Sequence, residues 1–497
     1  MQKRQIFINA LMSVFQIIVI SIVSFFLYRF LLKTIGVEKL GIWSLILATT
    51  SVTQIANMGF SGSVVKFVAK YVARGEPDNV SKVIQTAALS IAVSIGIILL
   101  ALYPPIKWIL GLVIPPESLS FACKILPFSF FALWILMIAS IFNAGLDGCQ
   151  RIYLRNILLM IGALFYFFLA LILTPRYGLI GLAYAQVAQN AFIFLCSWIL
   201  IKRFIAPLPV IPCQWDKNTF KEIIRYGINF NIISVTIMLC DPVTKVLLSK
   251  FSGLTMVGYY EMANKMVLQL RSLLVSVNQV LVPAIANLQE RLPEKIKSIY
   301  MASYQLFFYL SVPLFSLLIV STPAISELWI GHLEQYFVIF ATLLLIARFF
   351  NTLEGPAYFA NLGSGEIEWN VVSHLTKAGL NLGLGVLLGL LFGGTGVVVG
   401  WVISLIIGSC MICFSYHIKN KISLIELLPK ESRLILIMCL LVVTASLLIQ
   451  NRLNQIYTLL LFNYIVIILF STIIFIFLWF HPMRRRLIEW ITNDLFV

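Results

Sequence analysis

Polar and charged side chains lie inside long apolar stretches of this sequence. Burying such groups in an apolar medium costs free energy, so their presence indicates a function. Asn370, His374, Lys377 and Asn381 follow one another at intervals of four, three and four residues. In an α-helix this spacing places all four side chains on one face over about three turns. A polar face on an otherwise apolar helix is typical of a cavity lining or a ligand path within a membrane.

Three cations lie deep within apolar stretches. Arg271 lies midway between Asn264 and Asn278 at intervals of seven residues, and it has no acid three or four residues away. Arg348 and Lys377 likewise have no evident neutralising partner nearby in the sequence. Unpaired cations in an apolar medium are expensive, so an anion must compensate them. A diphosphate that carries sugars would use the cations for its phosphates and the amides for its hydroxyls.

The candidate site residues form three groups according to side-chain chemistry. The expected diphosphate ligands are Arg271, Arg348, Lys377 and Lys265. The polar residues expected to line a cavity are Asn57, Gln54, Asn264, Asn278, Asn370, His374 and Asn381. The acids that could carry a coupling ion are Asp147, Asp241, Glu261 and Glu354. Asp241 with Lys245, and Glu261 with Lys265, are each four residues apart and could instead neutralise each other. We expect no metal, no cofactor and no enzymatic activity, since no ligand set, nucleotide-binding loop or large external catalytic loop accompanies these residues.

The elements that position these side chains are membrane helices. Hydrophobic residues make up 60% of the 497 and charged residues only 11%, and the mean hydropathy is +0.98. This composition lies far outside that of soluble domains and predicts an all-α, polytopic membrane protein. About fourteen apolar runs are long enough to span a bilayer. Their approximate bounds are 8–32, 42–64, 82–103, 119–146, 154–174, 179–201, 226–249, 256–282, 301–323, 336–358, 369–392, 395–417, 433–450 and 456–480.

Most of the net charge of +16 falls in short connections on one side of the membrane. By the positive-inside rule, that side is cytoplasmic, and both termini lie there. The same distribution argues against a nucleic-acid partner, since the basic residues orient helices and meet anionic lipid headgroups instead.

Two glycine-containing stretches occur twice. LLKTIGVEKLGIW, which contains Gly36, returns as LSKFSGLTMVGYY, which contains Gly253. GLIGLAYA, which begins at Gly178, returns at nearly the same separation along the chain as GGTGVVVG, which begins at Gly393. Six spans separate the copies, and an even number preserves orientation. The repeat therefore predicts two parallel six-helix lobes and two further helices. Their bounds are 1–215, 216–430 and 431–497.

The sequence resembles the Wzx-type polysaccharide and O-antigen flippases, which belong to a superfamily that also contains multidrug antiporters and lipid II flippases. The similarity lies in GVEKLGIWSL, NAGLDGCQRIYLRN, YGLIGLAYA and GLTMVGYYEMANK, and with length and span count it covers essentially the whole chain. The resemblance implies a fourteen-helix inner-membrane flippase that moves an undecaprenyl-diphosphate-linked oligosaccharide by alternating access. Its implied partners are the lipid-linked glycan, membrane lipids and polysaccharide polymerase or assembly proteins.

Two other functions are compatible with the same superfamily. A cation-coupled multidrug antiporter would need an acidic site in the first lobe, where Asp147 is the candidate, and a lipid II flippase would carry a related diphosphate lipid. The deep cations favour anionic cargo over a cationic drug. A membrane polymerase or ligase is disfavoured, since the longest external stretch, around 104–119, is too short for a catalytic domain.

Overall fold

The computed structural model describes residues 2–51, 55–205, 207–209, 211–228, 231–278, 295–450 and 456–484. Within these ranges the regular structure is entirely helical, which confirms the predicted fold class. The helices are α1 Gln2–Ser51, α2 Ile55–Arg74, α3 Pro77–Val113, α4 Pro116–Gly148, α5 Ile152–Phe204, α6 Lys217–Ile228, α7 Asn231–Asn278, α8 Lys295–Ile330, α9 Gln335–Leu353, α10 Gly355–Ser364, α11 Glu368–Lys419, α12 Leu424–Leu427, α13 Lys430–Gln450 and α14 Ile456–Phe480.

Several helices are long enough to contain two membrane spans. By length and composition, 8 helical segments of the described chain could cross a membrane. Four helices, α1, α5, α7 and α11, cover more than one of the spans predicted from sequence. α5 and α11 each contain two spans, α7 contains most of two, and α1 contains the span 8–32 and the start of the span 42–64. In α5 the parts 152–177 and 179–204 both exceed the roughly 20 residues that a bilayer requires. The polytopic arrangement is therefore confirmed.

Each of these four helices is divided by one glycine with a positive φ. Gly36 has φ 80 and ψ 166, and Gly253 has φ 80 and ψ 177. Gly178 has φ 59 and ψ −136, and Gly393 has φ 62 and ψ −145. Residues with a Cβ atom are strained in this region, so glycine is required. The four glycines are the two pairs that the repeat predicts, and each pair shares one backbone conformation, which supports an internal duplication.

The chain reverses direction at two of these glycines, Gly178 and Gly393. A Cβ atom built on Gly181 would lie 2.3 Å from the carbonyl oxygen of Leu173, and one built on Gly400 would lie 2.9 Å from the amide nitrogen of Gly385. Residues so far apart on one straight helix would be separated by more than about 10 Å. Gly178 and Gly393 therefore each join two spans into a tight helical hairpin.

The two copies of the first motif contact each other. A Cβ atom on Gly41 would lie 1.9 Å from the carbonyl oxygen of Leu254, and one on Gly258 would lie 2.4 Å from that of Val37. Leu254 and Gly258 occupy in the second copy the positions of Val37 and Gly41 in the first, so the contact is reciprocal. Glycine permits this close approach of the two backbones. The two copies of the motif thus pack against one another.

The chain divides into two compact units. Unit 1 comprises Met1–Glu261 and Gly389–Val397, and unit 2 comprises Met262–Leu388 and Val398–Val497. These units are defined by internal contacts, whereas the predicted lobes 1–215 and 216–430 are defined by sequence repetition. The lobes accordingly stay a prediction.

The last two helices belong to the core of unit 2. Ile435 and Cys439 of α13, with Phe470 and Ile474 of α14, are buried in one cluster with aromatic residues of α8. Tyr309 of α8 also donates a hydrogen bond of 2.9 Å to the backbone of α14. The two added helices are thus packed within the unit that contains the candidate site.

Candidate functional site

An acid of unit 2 lies at the junction of α9 and α10. Glu354 ends α9 and directly precedes α10, and Pro356 in the first turn of α10 lacks the backbone N–H that a continuing helix would need. The Glu354 side chain is buried, with 5% of its surface exposed. A buried carboxylate needs hydrogen-bond donors or a cation.

Lys377 of α11 supplies that cation. Its Nζ donates to both carboxylate oxygens of Glu354, at 2.7 and 3.0 Å, and its own side chain is 3% exposed. Asn351 donates a further hydrogen bond of 2.7 Å to the same carboxylate. The expectation that Lys377 lacks a neutralising partner is wrong. The partner escaped sequence analysis because it lies on a different helix, across the α10–α11 connection.

A glycine provides the space that Lys377 occupies. A Cβ atom on Gly408 would lie 2.3 Å from Cγ of Lys377 and within 3.0 Å of Cδ and Cε. A residue larger than glycine at this position would therefore displace the lysine side chain. Gly408 is thus part of the site, although it carries no polar group.

The internal repeat places a matching contact in unit 1. Gly162 and Ile193 occupy in the first copy the positions that Lys377 and Gly408 occupy in the second. There the small residue is Gly162, whose built Cβ atom would lie 3.0 Å from Ile193. In the second copy the sizes are therefore reversed: the large residue, Lys377, occupies the position of Gly162, and the glycine, Gly408, occupies the position of Ile193. Sequence analysis missed Gly408, although the repeat contained the signal.

The two arginines lie close to the same carboxylate. Arg348 donates through Nη1 to Asn351 at 3.2 Å, and its guanidinium lies 5.7 Å from the centre of the Trp401 ring. Arg271 of α7 interacts electrostatically with Arg348 and Glu354, and its Nε is buried without a hydrogen-bond partner among the described residues. Three helices thus bring the three predicted cations into one cluster.

His374 lies beside the cluster, one turn before Lys377 on α11. Its ring contacts that of Tyr358 edge-on, with 5.8 Å between the centres, and its buried Nε2 has no hydrogen-bond partner among the described residues. Electrostatic interactions connect it to Lys377, Glu354 and Arg271. His374 therefore offers a donor or acceptor for a bound group.

The other members of the predicted α11 face are buried. Asn370 is fully buried, accepts a hydrogen bond of 2.9 Å from Asn361 and donates one of 3.1 Å to the carbonyl of Tyr358. These bonds tie α11 to α10, which is a structural role rather than a lining one. Asn381 is also buried, with 1% of its surface exposed.

The remaining predicted ligands are distributed as follows. Asn264 is buried and Lys265 half-buried, and both lie on α7 about two turns before Arg271. Gln54 lies outside the described residues, as do the side chains of Asn57 and Asn278.

The cluster in unit 2 carries a net positive charge. Arg271, Arg348 and Lys377 contribute three positive charges and Glu354 one negative charge, which leaves a net charge of two when His374 is neutral. We call these five residues the cationic cluster. A diphosphate diester bears two negative charges, so it would neutralise the cationic cluster, and arginine guanidinium groups match phosphate oxygens in two-pronged fashion.

The predicted acids Glu261 and Asp241 lie in unit 1. Glu261 accepts hydrogen bonds of 2.8 Å from both Tyr28 and Ser44, and it pairs with Lys245 at 2.7 Å. Lys245 also pairs with Asp241 at 2.7 Å, so the predicted pair four residues apart is formed. Tyr28 and Ser44 occupy in the first copy of the repeat the positions of Lys245 and Glu261 in the second. This cluster joins the two motif copies, and its bonds satisfy both oxygens of Glu261.

The predicted acid Asp147 forms an ion pair with Arg155. Both residues belong to the NAGLDGCQRIYLRN motif, which forms the end of α4 and the start of α5. Asn156 of the same motif is fully buried and donates a hydrogen bond of 2.9 Å to Ser13 of α1. Asn9 of α1 accepts another, of 3.2 Å, from a backbone amide of α5. The motif therefore fastens the α4–α5 hairpin to α1.

Comparison with known proteins identifies the family. Residues 4–289, more than half of the chain, match the family described as "Polysaccharide biosynthesis protein". The chain belongs to that family. A protein of Shigella flexneri that is named as an O-antigen transporter is 22% identical over 401 residues, which cover 78% of this chain and 92% of the relative. The resemblance seen in the sequence is thereby confirmed.

Two solved structures have the same fold. An inward-facing multidrug resistance transporter of the MATE family matches with a TM-score of 0.65 and 15% identity, covering 81% of this chain and 94% of the other. The lipid II flippase MurJ, in an inward closed conformation, matches with a TM-score of 0.64 and 15% identity, covering 92% of this chain and 98% of the other. Since both identities are low, the likeness establishes the fold alone.

Proposed function

We propose that this protein carries an oligosaccharide, linked through a diphosphate to a polyprenyl lipid, across the plasma membrane by alternating access. The diphosphate binds to Arg271, Arg348 and Lys377. His374 and nearby amide side chains form hydrogen bonds with the sugar hydroxyls. The observation that carries the proposal is a cluster of three cations from three helices. Lys377 pairs with the buried Glu354, Arg271 interacts with Glu354 and with Arg348, and the Asn351 amide links Arg348 to Glu354. The family membership and the relative named as an O-antigen transporter support the same substrate class.

The orientation belongs to this proposal. Both termini and the loop 202–225 face the cytoplasm, because the basic connections lie on that side. The loaded lipid enters from the cytoplasmic face and leaves on the periplasmic face, where polymerase or assembly proteins would receive it. The protein acts as a transporter and makes or breaks no covalent bond in its cargo.

The rival function is export of cationic drugs, for which the fold likeness to a multidrug transporter is the specific observation. A cationic drug needs an acidic or aromatic site. The cationic cluster would repel such a drug, and Asp147 is already paired with Arg155. The charge of the cluster therefore favours the anionic lipid.

The test uses two synthetic lipids that differ by one phosphate. Farnesyl-diphospho-N-acetylglucosamine and farnesyl-phospho-N-acetylglucosamine are titrated into the full chain in lipid nanodiscs. The proposal predicts that the diphosphate lipid binds more tightly by a wide margin, and that Arg271→Ala abolishes most of this preference. Equal affinities for the two lipids would contradict it.

A further inference from the structure

The Glu354–Lys377 pair occupies the groups that a diphosphate would need. The ammonium of Lys377 donates two hydrogen bonds to the Glu354 carboxylate, at 2.7 and 3.0 Å. An arriving diphosphate can bind Lys377 fully only if the ammonium leaves Glu354. Glu354 and the diphosphate thus compete for the ammonium of Lys377.

Glu354 has no second cation in hydrogen-bond contact among the described residues. The other donor to Glu354 is neutral, namely the Asn351 amide at 2.7 Å. When Lys377 leaves and the arginines pair with the diphosphate, the buried carboxylate lies beside an anion in a medium of low polarity, where the neutral acid is the favoured form. The charged and titratable groups facing Glu354 come from four helices. They are Arg271 of α7, Arg348 of α9, Tyr358 of α10, and His374, Lys377, Cys410 and Cys413 of α11.

We propose that Glu354 is a proton site coupled to substrate binding: when the diphosphate takes Lys377, the freed Glu354 carboxylate takes one proton from water and becomes a neutral acid. The step forms one O–H bond on Glu354 and breaks none in the substrate, and the proton returns to water when Lys377 returns. This inference rests on the proposed function, since it assumes the diphosphate site.

The ion pair also stabilises the charged form of Lys377. A lone buried Lys377 would carry a large desolvation penalty, whereas the ion pair keeps it charged and in place. In the loaded site the diphosphate pairs with the ammonium of Lys377, and the proton removes the charge of Glu354, so neither partner of the broken pair stays charged without a counter-ion. One lipid therefore binds with one proton.

The experiment is calorimetric titration of the full chain in nanodiscs with farnesyl-diphospho-N-acetylglucosamine. This diester does not titrate near neutral pH, so it neither releases nor takes up protons itself. Observed binding enthalpies in PIPES and in Tris, which differ in ionisation enthalpy, give the number of protons taken up. We expect about one proton for the wild type, with affinity falling about tenfold for each unit of rising pH.

Glu354→Gln keeps the shape of the side chain but cannot take the proton, and it is expected to bind the lipid with no proton uptake and no pH dependence. The matched control is Glu366→Gln, because Glu366 also pairs with a lysine, Lys419, but lies exposed. This control should keep the uptake of about one proton. If Glu354→Gln does not fold, the double variant Glu354→Gln/Lys377→Met, which removes both charges, should bind more weakly and also without proton uptake.

The outcomes separate the two proposals. Lipid binding without proton uptake in the wild type, or uptake that persists in Glu354→Gln, overturns the proton site and leaves the proposed function standing. A wild type that does not prefer the diphosphate lipid to its monophosphate analogue overturns both.

Discussion

Gly408→Ala should weaken substrate binding by the cationic cluster although no charged residue is replaced. The new Cβ atom would lie 2.3, 2.9 and 2.6 Å from Cγ, Cδ and Cε of Lys377, all below normal contact. Because three successive carbon atoms of the side chain are crowded, the side chain must shift by roughly 1 Å, since packed atoms do not interpenetrate. Such a shift changes the path of the side chain along α11, so the ammonium can no longer reach both Glu354 and the diphosphate with its normal geometry.

The expected cost follows from the interaction that is lost. A hydrogen bond to a charged group contributes about 1.5 to 3 kcal/mol, so the affinity for farnesyl-diphospho-N-acetylglucosamine should fall about ten- to a hundredfold. Binding is measured in nanodiscs after the variant has been shown to insert at normal levels. Gly383→Ala is the control, because Gly383 lies on the same helix with no atom within 4 Å of its built Cβ. If both variants bind like the wild type, the position of Lys377 does not matter to the site and the reasoning is refuted.

Three further predictions concern packing, orientation and charge. Gly41→Ala should lower the melting temperature by several degrees, because its Cβ would meet a backbone carbonyl at 1.9 Å, whereas Gly62→Ala, with open space around it, should not; equal melting temperatures would contradict the close approach. The exposed native Cys213 should react with a membrane-impermeant maleimide in inside-out vesicles and stay unlabelled in intact cells; the reverse labelling would invert the topology. Lys377→Met should destabilise by about 3 to 5 kcal/mol, and adding Glu354→Gln should recover most of that in thermal unfolding; a double variant as unstable as the single one would argue against the buried pair.

The internal repeat of the sequence predicted much of the fold. Glycine spacing predicted the turns at Gly36, Gly178, Gly253 and Gly393, because a positive φ demands glycine wherever the motif recurs. The ion pair between Asp241 and Lys245 could also be predicted as an alternative, since contacts four residues apart within one helix depend only on helix geometry.

Contacts between helices were harder to predict. Helical periodicity shows which face Lys377 occupies, but the height and rotation of one helix against another depend on packing, so the pairing of Lys377 with Glu354 was not apparent. The same limit applies to Glu261, whose partners Tyr28 and Ser44 lie on α1, far earlier in the chain.

The most direct test of the proposed function is transport itself. The full chain is reconstituted into liposomes with a fluorescent farnesyl-diphospho-N-acetylglucosamine, and a membrane-impermeant quencher reports how much lipid has crossed. We predict crossing by the wild type, partial crossing by Arg271→Lys, which keeps the charge but loses the two-pronged geometry, and little by Arg271→Ala. Normal crossing by Arg271→Ala, together with arrest by Asp147→Asn, would contradict the account and favour a cation-coupled antiporter.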